Sequence, residues 1–191
     1  MTMKNMTKRC FLSALSLAVI TFTTVSVQAA PKTEDELIAQ LASPKEKQVI
    51  SGLSEIEKNY PTSKKAQAAI KPLLVDSRKP VMRKAARVLG VVNADVTEAE
   101  LKSIAGLLKA TDKYEIIDGL KALRGLKAKS TIPEITPLLK HTDKNVIRDS
   151  IRTLAVLGDK SLVPTIEPFM NYPDLAVQKD AADALAILKQ K

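Results

Sequence analysis

The chain is 191 residues long, with 30 lysines and arginines against 21 aspartates and glutamates, a formal charge of +9 and 3% aromatic residues. One cysteine and one histidine cannot make a cluster of thiolate and imidazole metal ligands, and the six glycines never fall into a phosphate-cradling loop. Gly-x-Ser-x-Gly is absent as well, so the composition points away from catalysis and from any cofactor.

Residues 1–29 read as a signal peptide. Lys4, Lys8 and Arg9 give a positive start, residues 10–20 are almost wholly apolar or small, and Val27, Gln28 and Ala29 offer small positions to a signal peptidase, with cleavage expected after Ala29. An uncleaved anchor is the competing reading. The polar stretch 21–26 weighs against it, because a spanning helix needs about 20 predominantly apolar residues. Cys10 precedes the apolar run instead of ending it, which weighs against a lipoprotein. Export to the periplasm or beyond, in a bacterial setting, is the expectation, with no stable membrane insertion afterwards. The remaining 162 residues would carry no cysteine and form one domain, residues 30–191.

Residues 34–60 predict two short helices. Thr33 with Glu36 and Ser43 with Glu46 have the spacing of capping boxes, and Pro44 follows Ser43 at the favoured first helical position. Leu37, Ile38, Leu53 and Ile56 supply an apolar stripe.

From residue 62 onward one pattern is written four times, over 62–93, 97–128, 131–158 and 161–189. Ile70, Ile104, Ile135 and Ile166 lead the copies, 34, 31 and 31 residues apart. Two positions later stands a helix breaker (Pro72, Gly106, Pro137, Pro168), which predicts a bend at one place in each first helix. An apolar pair follows: Leu73 and Leu74, Leu107 and Leu108, Leu138 and Leu139, Phe169 and Met170. Each second helix then carries a small residue (Ala85, Gly119, Ser150, Ala181) and, four positions on, a leucine (Leu89, Leu123, Leu154, Leu185). The small residue lets two helices approach, and the leucine belongs to an inward stripe. Thr97 with Glu100 and Thr131 with Glu134 add two further capping-box spacings. One hairpin cannot cover both its stripes, so a fixed period of this size means stacked copies sharing a core.

On these residues the chain resembles the HEAT-repeat proteins, in the short phycobilisome-lyase-like form. The best match is 132–158, with a proline in the first helix, Leu138 and Leu139, Asp143 at the turn, then Val146, Arg148, Leu154, Leu157 and Gly158. Asp112 and Asp174 repeat the turn aspartate, whereas Arg78 stands there in the first copy. Glu115 and Ile117 depart from the Val-x-Arg element. The resemblance implies an all-α fold, an α-α superhelix of about four to five hairpins, with 34–60 a degenerate cap in which Val49 breaks the small column. It also implies that Arg148 pairs with Asp143, both structural, and Lys179 with Asp174, and that the second helices line a groove. The lyases behind the family name act on pigment proteins inside cells, so their activity is not carried to an exported chain.

Charge is concentrated in one copy. Residues 61–93 hold Lys64, Lys65, Lys71, Arg78, Lys79, Arg83, Lys84 and Arg87 against the single Asp76. Lys79, Arg83 and Arg87 follow at four-residue spacing and so share a helix face. Lys121 and Arg152 continue that ladder, and these five cations are the candidate ligand-binding residues. Arg87 and Arg152 have no carboxylate assigned to them by the family pattern. A solvated face without a ligand is the plain alternative. His141 reads as a turn residue, and Tyr114 and Tyr172 as turn aromatics that either anchor a ligand or pack over helix ends. The expected function is a non-enzymatic adaptor that holds a partner protein in its groove. The alternative is a polyanion-binding module for lipopolysaccharide, an anionic membrane surface or nucleic acid, the last disfavoured by export and by the scarcity of aromatic platforms.

Overall fold

The computed structural model describes residues 31–191, so the signal-peptide reading lies outside the described residues. These residues build an α-α superhelix from five consecutive helical hairpins. The pairs are α1 (Glu34–Leu41) with α2 (Glu46–Asn59), α3 (Lys64–Ile70) with α4 (Lys79–Val91), α5 (Glu98–Gly106) with α6 (Lys113–Gly125), α7 (Ile132–Ile135) with α8 (Lys144–Leu157), and α9 (Val163–Ile166) with α10 (Leu175–Lys189). The second helices α2, α4, α6, α8 and α10 pack directly on one another in one layer, and the first helices form the other.

The core lies between the layers. Ile70, Ile104, Ile135 and Ile166 are buried, as are Leu89, Leu123, Leu154 and Leu185, so both repeated columns face a single interior. The small column has a steric cause: a Cβ on Gly119 would stand 2.9 Å from the Leu107 Cβ. Ser150 fits the same slot by donating its hydroxyl back to the Val146 carbonyl at 2.8 Å.

The helix breakers act where the repeat places them. Pro72, Pro137 and Pro168 each sit second in a 3-10 segment, Lys71–Val75, Thr136–Lys140 and Glu167–Asn171, that continues the first helix after a change of pitch. Proline has no N–H to give the α-helical ladder, so the chain tightens there. The second copy has Gly106 instead, and its 3-10 segment, Leu107–Lys109, is correspondingly short.

Two of the four expected capping boxes form, at Thr33 with Glu36 and at Thr97 with Glu100. The other two are corrected. Helix α2 begins at Glu46 with Lys45 as its uncapped start, because the Ser43 hydroxyl is engaged with the Lys45 N–H two residues on. Thr131 closes a 3-10 turn and donates to the Ala128 carbonyl at 2.7 Å, which leaves Glu134 without a box. Three of the second helices, α6, α8 and α10, are capped by the turn aspartates: Asp112 accepts from Tyr114 and Glu115, Asp143 from Asn145, and Asp174 from Ala176 and Val177.

Helices α4 and α6 touch backbone to backbone. A Cβ on Gly90 would lie 2.6 Å from the Ala122 Cα, and one on Gly125 only 2.2 Å from the Gly90 carbonyl oxygen. Each helix ends with a residue in the left-handed region, Asn93 at φ 46° and Lys127 at φ 53°. The N–H of the following residue reaches back to the Leu89 or Leu123 carbonyl, which closes the helix end and turns the chain into the next copy.

Candidate functional site

The basic copy does not present a bare positive surface. Each of its eight cations has a carboxylate within salt-bridge distance: Lys64 with Asp95, Lys65 with Asp35, Lys71 with Glu100, Arg78 with Asp76, Lys79 with Glu115, Arg83 and Arg87 with Asp118, and Lys84 with Glu57. Six of the eight reach into a neighbouring copy and Lys64 reaches the turn that leads to the next one, so a surplus that is local in sequence becomes an inter-repeat fastening in space. Arg78 pairs inside its own copy, bonding Asp76 through Nε at 2.9 Å and Nη2 at 2.7 Å. Its Nη1 also donates to the Ser43 carbonyl of the cap at 3.1 Å.

The same principle corrects the pairing within copies that the family pattern implied. Arg148 does not meet Asp143. Its Nε donates to Asp180 of the next copy at 2.7 Å, and Arg152 donates to the other oxygen of the same carboxylate at 2.9 Å. Asp143 accepts from Lys113 of the preceding copy at 2.8 Å, Asp174 from Lys144 at 2.6 Å, and Lys179 turns to Asp183 within its own helix. The Lys113 ammonium holds the Asp143 carboxyl below the usual aspartate range, and Lys144 does the same for Asp174, in each case against a smaller opposing effect of burial.

A buried acidic column therefore runs under the cations. Asp118, Asp149 and Asp180 sit at one register on α6, α8 and α10, and all three are buried. Asp118 is held by Arg83 at 2.7 Å and approached by Arg87 at 3.7 Å, and Asp180 is held by Arg148 and Arg152. Asp149 is the exception. The preceding helix offers it Ile117 and Lys121 where the others find two arginines, Arg124 comes no closer than 3.6 Å, and its Oδ1 has no hydrogen-bond partner.

The five candidate cations thus divide. Lys79, Arg83 and Arg152 are engaged with carboxylates, and Arg87 is only loosely so. Lys121 is exposed with no carboxylate within 4.0 Å among the described residues. Arg124 joins them at the same face, and the ladder spacing did not mark it because it sits three residues beyond Lys121, one turn along α6. Beside these charges runs an apolar column at a third register: Val91, Val156 and Ile187 are 62%, 41% and 43% exposed, with Gly125 in the matching place on α6. Clefts open between successive second helices. One is lined by Pro80, Arg83, Lys84, Arg87 and Asp118. A second, of about 230 Å³, lies above the Gly90 and Gly125 contact. A third, of about 260 Å³, has Ala155, Val156, Ala184 and Ile187 along its apolar side.

The other residues singled out by sequence fall elsewhere. The His141 Nδ1 accepts the Asp143 N–H at 2.9 Å and so serves the turn. Tyr172 stacks on Phe169 with ring centroids 6.0 Å apart, while Tyr114 is exposed with the Lys113 ammonium 5.5 Å from its ring centroid. No group of three or more metal-ligating side chains occurs among the described residues, and none of their helices is long and apolar enough to cross a membrane.

The family of HEAT repeats matches residues 132–191, the last two hairpins. Those two hairpins are HEAT repeats. Among solved structures the chain is similar to the complex of CpcE and CpcF of phycocyanin lyase from Nostoc sp. PCC7120, at 23% identity and a TM-score of 0.72, over 86% of this chain and 68% of that one. An engineered protein gives 19% identity and a TM-score of 0.62 over 81% and 78% of the two chains. A designed armadillo repeat protein in complex with the peptide (KR)4 gives 16% and 0.59 over 80% of each. At these identities the likeness speaks for the fold. No curated protein matches the sequence. The HEAT assignment agrees with the repeated columns and with the stacking of hairpins through a shared core.

Proposed function

We propose that this HEAT-repeat protein is an exported, non-enzymatic adaptor whose second-helix face holds a segment of a partner protein. The observation that carries the reading is the exposed aliphatic column Val91, Val156 and Ile187, which borders open clefts on a face whose charges are otherwise largely matched in pairs. Apolar side chains left bare beside a cleft favour a ligand that buries them, and a polypeptide segment can do so while meeting the flanking charges. Two of the similar structures are themselves complexes, one between two chains and one with a peptide. Export rests on the positive start and apolar run of residues 1–29.

A photo-crosslinking amino acid placed at Val156 should capture one discrete partner in intact cells, and the same probe at the exposed Tyr114 in the first turn of α6 should not. Val156→Asp with Ile187→Asp should abolish an interaction found this way without lowering the melting temperature. Equal capture from both positions, or capture that survives the double substitution, would overturn the adaptor reading. Amino-terminal sequencing of the mature chain should begin at Ala30, and a chain that retains Met1 would refute cleavage.

A further inference from the structure

Six arginines lie among the described residues. Arg78, Arg83, Arg148 and Arg152 donate hydrogen bonds to carboxylates. Arg87 and Arg124 donate none to any described residue and approach carboxylates only at 3.7 and 3.6 Å. These two arginines line one cleft together, with Lys121 as its third cation. The floor of that cleft is the Gly90 and Gly125 contact, where two helix backbones meet without side chains between them, so a ligand can approach the floor closely. Among the lining residues there is no acid.

The local charge balance agrees. Arg83, Arg87, Lys121 and Arg124 stand against Asp118 and Asp149, a formal surplus of two positive charges. The carboxyl ends of α4 and α6 also point here, but two helix ends contribute only about −0.5 each, which does not cancel the surplus. Guanidinium groups that donate no hydrogen bond within the fold, weakly hydrated and planar, are suited to grip a carboxylate through paired N–H donors.

Arg124 also lines the apolar cleft of Ala155, Val156, Ala184 and Ile187, so one side chain borders both clefts. We infer that the protein recognises an extended segment of a partner protein that places an acidic side chain in the Arg87, Lys121 and Arg124 cleft and an aliphatic side chain against Val156 and Ile187. Two interhelical steps separate the clefts, about 16–20 Å, which an extended chain covers in about five or six residues. The acidic and aliphatic positions of that segment are thus about five or six residues apart. The inference rests on the adaptor reading and adds to it the sign of the partner's charge and the order of its side chains.

The probe is a synthetic peptide of sequence Glu-Glu-Ser-Ser-Ser-Leu-Leu, blocked at both ends and titrated into the isotope-labelled protein while amide and methyl resonances are followed. Saturable shifts are expected at Val91, Lys121, Arg124, Val156 and Ile187. Lys121→Gln with Arg124→Gln should weaken binding about tenfold or more, the loss of two charged contacts, and leave the melting temperature within a few degrees of wild type. Replacing the two leucines of the peptide by serine should weaken it by a similar factor. Three outcomes overturn the inference: no saturable shift, equal or tighter binding of Lys-Lys-Ser-Ser-Ser-Leu-Leu, or tighter binding of duplex DNA or phosphatidylglycerol vesicles through the same residues. If the lysine peptide binds this face instead, the acidic segment is refuted while the adaptor reading stands. The adaptor reading falls separately, on the crosslinking from Val156.

Discussion

Asp149 and Asp180 occupy the same register on consecutive helices and differ only in what the preceding helix supplies. Asp180 receives hydrogen bonds from two arginines, whereas Asp149 keeps a buried oxygen without a donor. One substitution should therefore have two outcomes. Asp180→Asn removes a charged acceptor from two guanidinium groups and should cost about 2 kcal/mol, a figure that allows for the partial exposure of both arginines. Asp149→Asn relieves a poorly satisfied buried charge and should be neutral or slightly stabilising. Urea denaturation midpoints of the two variants compare them directly, and equal losses would show that the clamp at Asp180 has no special strength. These partners were not legible in the sequence. A cation and an acid of suitable spacing occur both within a copy and between copies, and only the packing angle decides that Arg148 reaches forward to Asp180 and leaves Asp143 to Lys113.

At the scale of the element, glycines with one chemistry have opposite consequences. Gly125 meets the Gly90 carbonyl where a Cβ would go, and Gly106 meets nothing within 4 Å. Gly125→Ala should destabilise by about 2 kcal/mol, because a methyl forced against backbone outweighs the gain of up to about 1 kcal/mol in helix propensity. Gly106→Ala should instead stabilise by about 0.5 to 1 kcal/mol. Thermal melts of the pair test the contact, and a stabilised Gly125→Ala would mean that α4 and α6 are free to separate. The second helices, their leucine column and the bends at Pro72, Pro137 and Pro168 were all legible, since each copy repeats the same packing demand. The caps were legible only in part. Ser43 and Thr131 have the right spacing, but their hydroxyls are taken by local turns, while the turn aspartates do the capping on α6, α8 and α10.

At the scale of the molecule, acid should weaken the stack through its turns. Asp143 and Asp174 each cap a helix and bind a lysine of the preceding copy, and their folded pKa values are lowered by those lysines. A lowered folded value means that the unfolded chain binds protons first as pH falls. Stability is therefore full above the unfolded aspartate value of about 4 and is lost as pH drops through the folded values. Melting temperatures measured between pH 6 and pH 2 should fall steeply below pH 4 in the wild type and less steeply in Asp143→Asn with Asp174→Asn. Parallel curves would remove the turns from the acid response. The candidate face was only half legible at this scale: the ladder of Lys79, Arg83, Arg87, Lys121 and Arg152 can be read from spacing, but its neutralisation by Asp118, Asp180 and Glu115 cannot, because those acids lie a full copy away. Most of the ion-pair fastenings have a direction: Lys113, Lys144, Arg83 and Arg148 all reach toward the carboxyl-terminal neighbour, and among the described residues only Lys65 and Lys84, at the joint with the cap, reach back. Copies are in this sense coded head to tail, like couplings with a hook in front and an eye behind. Splicing a duplicate 31-residue unit into the seam after α8 would present a matching joint on both sides, so the scaffold can be lengthened without redesigning either end.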